Sequence, residues 1–153
     1  MERKEAVQRI REFNRFYMPL LRLLDNHYLG SAYTPTEARV LYEIYECHGC
    51  NAAHIAKEMN IDKSYLSRII RSHEKNGFII REVSSEDSRA YHLYLTEAGV
   101  RLTEDFIQKS NEEVEEMIHT LPRENCLELI QALDTVTDIL KTAKKGKTQG
   151  RNK

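Results

Sequence analysis

The chain has no tryptophan, three prolines, six glycines and three cysteines in 153 residues, and no long apolar run. Few prolines and glycines leave few points at which a helix must stop, so the composition suits a helix-rich protein. An odd cysteine count argues against a disulfide framework. No apolar stretch approaches the roughly 20 residues of a membrane helix. Met1 to Glu12 is charged and lacks the apolar centre of a signal peptide, so a cytoplasmic location without membrane attachment is expected. A surplus of either charge is missing too: 23 basic against 24 acidic side chains give a net charge of −1. Any face that attracts a polyanion must therefore be local. There is no phosphate-binding glycine loop, no nucleophile elbow and no H-E-x-x-H, and the carboxylates from Glu97 to Glu116 read as one solvated helix face. Neither an enzyme nor a cofactor or metal site is expected.

What is present centres on Ile55 to Arg71, IAKEMNIDKSYLSRIIR. Ile55, Met59, Ile61, Leu66 and Ile69 are apolar at the spacings where two short helices crossing steeply bury side chains. Ala56 stands where the second helix passes closest. Asn60 falls in the turn, where φ > 0 is needed and asparagine tolerates it. Asp62 follows as N-cap of the second helix. That helix leaves Lys63, Ser64, Tyr65, Ser67, Arg68 and Arg71 exposed, groups that reach phosphates and base edges. The pattern is that of a helix-turn-helix whose second helix enters the major groove of double-stranded DNA.

Around it, residues 1–30 carry one long apolar helical stripe, Glu2 to about Tyr28, with Val7, Ile10, Phe13, Phe16, Tyr17, Leu20, Leu21 and Leu24. Pro19 is expected to kink or divide it. Thr34-Pro35-Thr36-Glu37 opens a second helix with a capping box. It carries Ala38, Leu41, Ile44 and Tyr45 inward and ends near Cys47 to Gly49. Gly77 closes the recognition helix. Phe78–Val83 and Ala90–Leu95 then alternate as two strands around the polar SSEDSR, a wing. Thr96 caps a helix running to about Thr120. After Pro122 comes a last helix with the stripe Leu127, Ile130, Leu133, Val136, Leu140, and then a basic stretch from Lys141 that reads as a frayed tail. The expected fold is mainly α with a small β-wing, in the order α-α-α-α-β-β-α-α. Its parts are an N-terminal dimerisation helix (1–30), a winged helix-turn-helix (34–96), C-terminal dimerisation helices (97–143) and a basic tail (144–153). Apolar stripes at both ends ask for a second subunit.

This order resembles the MarR family of dimeric winged-helix regulators. The resemblance rests on DKSYLSRIIRSHEKNGFI, on Leu95 to Gly99 (LTEAG) and on the D-x-R of Asp87-Ser88-Arg89. FNRFY, YLG, TEARVLYE and YLSR are similar to the regulator half of proteins that fuse such a domain to a GNAT-type acetyltransferase. The sequence ends where that catalytic domain would begin, so no acetyltransferase activity carries over. The resemblance implies a homodimer in which first and last helices interlock, repression of nearby genes from a pseudo-palindromic operator, and relief by a small aromatic or anionic effector. In the wing, Arg89 is the candidate for a narrow minor groove, and Asp87 would orient it. The family usually has a basic residue where this chain has Ser88.

Phe13, Tyr17, His27, Tyr28 and Tyr42 are the aromatic and polar candidates for an effector cleft. Such residues are more often core than ligand contacts. Cys47-His48-Gly49-Cys50 admits three readings: incidental or structural cysteines, a redox pair, or half of a zinc knuckle with His54. The other histidines, 27, 73, 92 and 119, have no ligand spacing, and surface positions are expected for them. Two alternatives to a DNA-binding regulator thus remain: a thiol- or metal-responsive sensor using Cys47 and Cys50, and a winged-helix protein-interaction module.

Overall fold

The computed structural model describes residues 2–86 and 90–149, the last five without their side chains. The order of elements is the expected one: α1 (Arg3–Leu20), α2 (Pro35–Cys47), α3 (Ala52–Met59), α4 (Lys63–Lys75), β1 (Ile79–Val83), β2 (Tyr91–Leu95), α5 (Glu97–His119) and α6 (Arg123–Gln149). Two units separate by contact, residues 1–110 and 111–153.

Local chemistry sets the boundaries. The capping box at the start of α2 is complete: Glu37 N–H donates to Thr34 Oγ1 and Thr34 N–H to the Glu37 carboxylate. Asn60 ends α3 in the left-handed region (φ 52°), as the turn requires. One carboxylate oxygen of Asp62 accepts the backbone N–H groups of both Ser64 and Tyr65. At the far end of α4, Gly77 (φ 79°) lets its own N–H reach Glu74 O while Phe78 N–H reaches His73 O, a Schellman closure.

The core of residues 1–110 lies where α2, α3 and α4 meet the wing. Val40, Leu41, Ile44, Ile55, Leu66, Ile69, Ile70, Ile79, Leu93 and Phe106 are all buried. Each such side chain contributes about 1.5–3 kcal/mol relative to exposure. The strands pair antiparallel with Ile79 opposite Leu95 and Val83 opposite Tyr91. Thr96 fastens the base of this hairpin by donating from Oγ1 to Gly77 O and from its N–H to Phe78 O. The same hydroxyl caps α5 by accepting Gly99 N–H. At Gly99 a Cβ would collide with the Phe78 carbonyl, so the LTEAG glycine is fixed by a backbone contact.

Four expectations need correction. The first helix ends at Leu20 rather than near Tyr28. Pro19 removes an intrahelical donor, and Arg22 turns left-handed (φ 53°), allowing Leu23 N–H to close on Met18 O. The last helix runs to Gln149, beyond Lys141, where a tail was expected to begin. Its Ala and Lys residues favour helix, and cations near a helix C-terminus oppose the macrodipole.

His73 is not at the surface. It is 1% exposed, with ring contacts to Tyr33 and Phe78, and its Nε2–H donates to Glu37 O at 2.9 Å. His92 is half-buried, not exposed, because its ring turns onto the carbonyl of Gly49.

Burial holds the His73 imidazole below its ordinary pKa of 6.5, against the smaller opposing pull of the Glu37 carbonyl. Among the described residues its Nδ1 has no hydrogen-bond partner, so a proton there would sit among apolar and aromatic neighbours. Below pH 6.5 the unfolded chain takes up a proton that the folded chain resists, and stability declines with acid from that point downward. Urea midpoints measured between pH 7.5 and 5.5 should fall more steeply for the wild type than for His73→Gln; parallel slopes would contradict this account.

Candidate nucleic-acid interface

α4 is strongly two-sided. Leu66, Ile69, Ile70 and His73 point into the core, the i, i+3, i+4, i+7 spacing of one helix face. The opposite face carries the residues singled out in the sequence. Lys63, Ser64, Tyr65, Arg68 and Arg71 are exposed, and Ser67 is half-buried at their edge. The structure therefore brings six of the eight expected interface residues onto one helix. Asp87 and Arg89 lie outside the described residues.

Within this face the side chains are ordered by short contacts. The Arg68 guanidinium lies over the Tyr65 ring, 5.7 Å from its centroid. Arg71 Nε donates to the Ser67 carbonyl one turn back. Among the described residues neither arginine is ion-paired. Glu74, an acidic residue on the same helix, has its carboxylate engaged elsewhere. Arg81 of β1 reaches it with two donors, Nε at 2.5 Å and Nη2 at 2.9 Å. Arg81 also lies over the Tyr91 ring of β2, at 5.5 Å.

Sequence reasoning missed this clamp, which joins the recognition helix to both wing strands. The signal was an arginine in the strand four residues past the helix-closing glycine, where the chain doubles back beside the helix. The face is thus locally basic in a chain of near-zero net charge, although Asp62 already takes the first-turn N–H groups of Ser64 and Tyr65.

The other candidates separate. Phe13 and Tyr17 stack on each other along α1, centroids 5.1 Å apart. Tyr28 packs against Phe106, His27 turns its Nδ1 to Ser31 O, and Tyr42 lies under Arg39. These ring contacts do not draw the five expected effector residues together. A cavity of about 370 Å³ lies elsewhere, lined by Ile44, Tyr45, Glu46, His48, Tyr94, Leu95, Val100 and Glu104. In it the Tyr45 hydroxyl donates to Glu104 Oε1 (3.2 Å), a bond to a carboxylate that raises the phenol above its ordinary pKa.

Cys47 and Cys50 form a disulfide, a local pairing that the argument against a disulfide framework did not anticipate. The C-x-x-C spacing folds back on itself because His48 and Gly49 both turn left-handed. In this form neither sulfur is a thiolate ligand. Among the described residues no group of three His, Cys, Asp or Glu side chains is placed to hold a metal ion. No described helix is long and apolar enough to cross a membrane.

This geometry has relatives. The family model described as MarR family matches residues 33–91, the span from the start of α2 to the first residue of β2. Residues 33–91 thus resemble the MarR family, and their fold is a winged helix-turn-helix. Among solved structures, Streptococcus pneumoniae FabT in complex with DNA superposes with a TM-score of 0.75 at 21% identity, over 89% of this chain and 98% of that one. Wild-type MarR from E. coli in its apo form gives 0.71 at 20% identity, over 82% and 94%. At these identities the likeness speaks for the fold.

A curated relative, a proposed transcriptional regulatory protein for the hcr operon of Thauera aromatica, is 31% identical over 68 residues, 44% of this chain. The match spans 41% of that relative's own length. In this winged-helix region, the Arg81–Glu74 clamp should matter in proportion to its half-exposed setting. Arg81→Ala and Glu74→Ala should each cost about 1 kcal/mol, and the double variant less than their sum. Strict additivity in thermal or urea unfolding would mean that the pair is not coupled.

Proposed function

We propose that the protein is a MarR-type transcriptional regulator, a repressor that binds a pseudo-palindromic duplex as a homodimer. One observation carries the reading: α4 buries one face completely and leaves Lys63, Ser64, Tyr65, Arg68 and Arg71 on the other, with Glu74 withdrawn by Arg81. In this reading Lys63, Ser64 and Ser67 meet backbone phosphates near the N-terminus of α4. Arg68 and Arg71 reach guanine O6 and N7. Arg89, with Asp87 orienting it, enters the minor groove beside the half-site.

A second copy of the chain is the partner that the terminal helices fit. None of the residues of α1 is buried, and Ile10, Phe13, Phe16 and Leu20 are all exposed along it. On α6 the stripe Leu127, Ile130, Val136 and Leu140 is likewise uncovered. Stripes of that length on a soluble chain are covered by association. Two copies then set two recognition helices about one helical turn of DNA apart. A small aromatic or anionic effector would act by changing that spacing.

Selection of bound duplexes from a random pool tests the function and returns the half-site spacing. Affinity for the selected site should fall steeply with salt, as released counterions require. Arg68→Ala should weaken it by about tenfold or more and relax one base position in each half-site. Binding without salt dependence, or without a selected sequence, would instead favour an interaction module that has lost DNA.

A further inference from the structure

The loop between α2 and α3 is tied to the wing at three consecutive residues. Leu93 N–H donates to Cys50 O at 2.9 Å, and His92 Nδ1–H donates to Gly49 O at 2.7 Å. The Tyr94 ring lies so close to Gly49 that a Cβ there would meet its hydroxyl at 2.7 Å. Both acceptor carbonyls sit inside or at the end of the four-residue ring closed by the Cys47–Cys50 disulfide. Cys47 is the last residue of α2, and Cys50 directly precedes Asn51, the N-cap of α3.

Within the ring His48 is the left-handed C-cap of α2 (φ 42°), a conformation uncommon for an L side chain. Both cysteines are half-buried rather than enclosed in the core. The bond therefore closes a ring in the loop that joins α2 to α3 and is hydrogen-bonded to β2.

We infer that Cys47 and Cys50 are a reversible oxidation site whose state sets how firmly the wing is held against the helix-turn-helix. Resting on the DNA-binding reading above, it also sets operator affinity. The oxidant class is a peroxide. One cysteine, as thiolate, attacks an oxygen of hydrogen peroxide. An S–O bond forms, the O–O bond breaks, and the departing hydroxide leaves as water on taking a proton. The second sulfur then attacks the sulfenic sulfur. The S–S bond forms, the S–O bond breaks, and a second water leaves. In sum, two thiols and one peroxide give a disulfide and two waters, and a dithiol reductant reverses the step by exchange.

Opening the ring frees His48 and Gly49 to leave the left-handed region, and the carbonyls of Gly49 and Cys50 lose their fixed position against His92 and Leu93. The wing then has more states to lose on docking, so the reduced chain binds more weakly.

The test uses the full chain carrying Cys126→Ser, so that Cys47 and Cys50 are its only thiols. Samples reduced with dithiothreitol and reoxidised with hydrogen peroxide are compared by intact mass, by amide exchange over residues 47–52 and 91–95, and by affinity for the selected duplex at fixed salt. Oxidation should remove two hydrogens, slow exchange at Leu93, and tighten binding about fivefold or more. Adding Cys47→Ser and Cys50→Ser should give the reduced behaviour whatever the oxidant. Failure of the disulfide to form, unchanged exchange, equal affinity in the two states, or tighter binding by the reduced chain would each overturn the inference. Exchange that responds to oxidation in a chain that binds no duplex in either state would uphold the oxidation site and refute the DNA reading instead.

Discussion

The core of residues 1–110 depends on the burial of one face of α4. Leu66, Ile69, Ile70 and His73 enter the space between α2 and α3, and their insertion fixes the helix's rotation about its own axis. Rotation is the quantity a DNA reader cannot leave loose. A turn of one residue would carry Arg68 and Arg71 about 100° around the helix and off the exposed face. Packing against Val40, Leu41, Ile44 and Ile55, all essentially without exposure, removes that freedom. The basic face is held in place by the apolar one.

The wing adds a second constraint, on the helix's far end. Arg81 joins Glu74 to the strand pair, and Thr96 fastens the base of the hairpin to the turn at Gly77 and Phe78. Gly99 admits the Phe78 carbonyl at a distance no side chain would allow. The clamp also acts electrostatically, since a carboxylate one turn beyond Arg71 is neutralised by an arginine outside the recognition face. That answers how a chain of net charge −1 can present a local cationic surface.

Short-range chemistry was legible in the sequence, and long-range pairing was not. The Thr34–Glu37 capping box, the Asp62 cap, the left-handed Asn60 and the closing Gly77 are each decided within about four residues, and each stands where the spacing puts it. The exposed set on α4 follows from helical periodicity alone. The partner of Glu74, by contrast, is set by how the chain reverses after Gly77, which local pattern does not encode. His73 was hidden for another reason. It occupies the position seven residues after Leu66 on the buried face, and periodicity would have placed it inside had its polarity not suggested the surface. Pro19 signalled a break in the first helix, but the direction of the chain beyond it depends on Arg22 turning left-handed, a conformation non-glycine residues seldom announce.

The apolar stripes of α1 and α6 bear on regulation through the same rotational argument. If two copies associate through them, each recognition helix is oriented twice: by its own core, which is rigid, and by the interface, which is a separate packing problem. A core of fully buried aliphatic side chains resists small displacements. An interface of amphipathic helices can exchange one arrangement for another, because discrete packings differ by little free energy. Control by any ligand or modification then has two economical points of entry. One is the helix pairing that sets the distance between copies. The other is the Cys47–Cys50 loop that sets the wing's hold within each. Neither requires the exposed face of α4 itself to change, so in the proposed reading the residues that meet DNA can stay fixed while affinity varies.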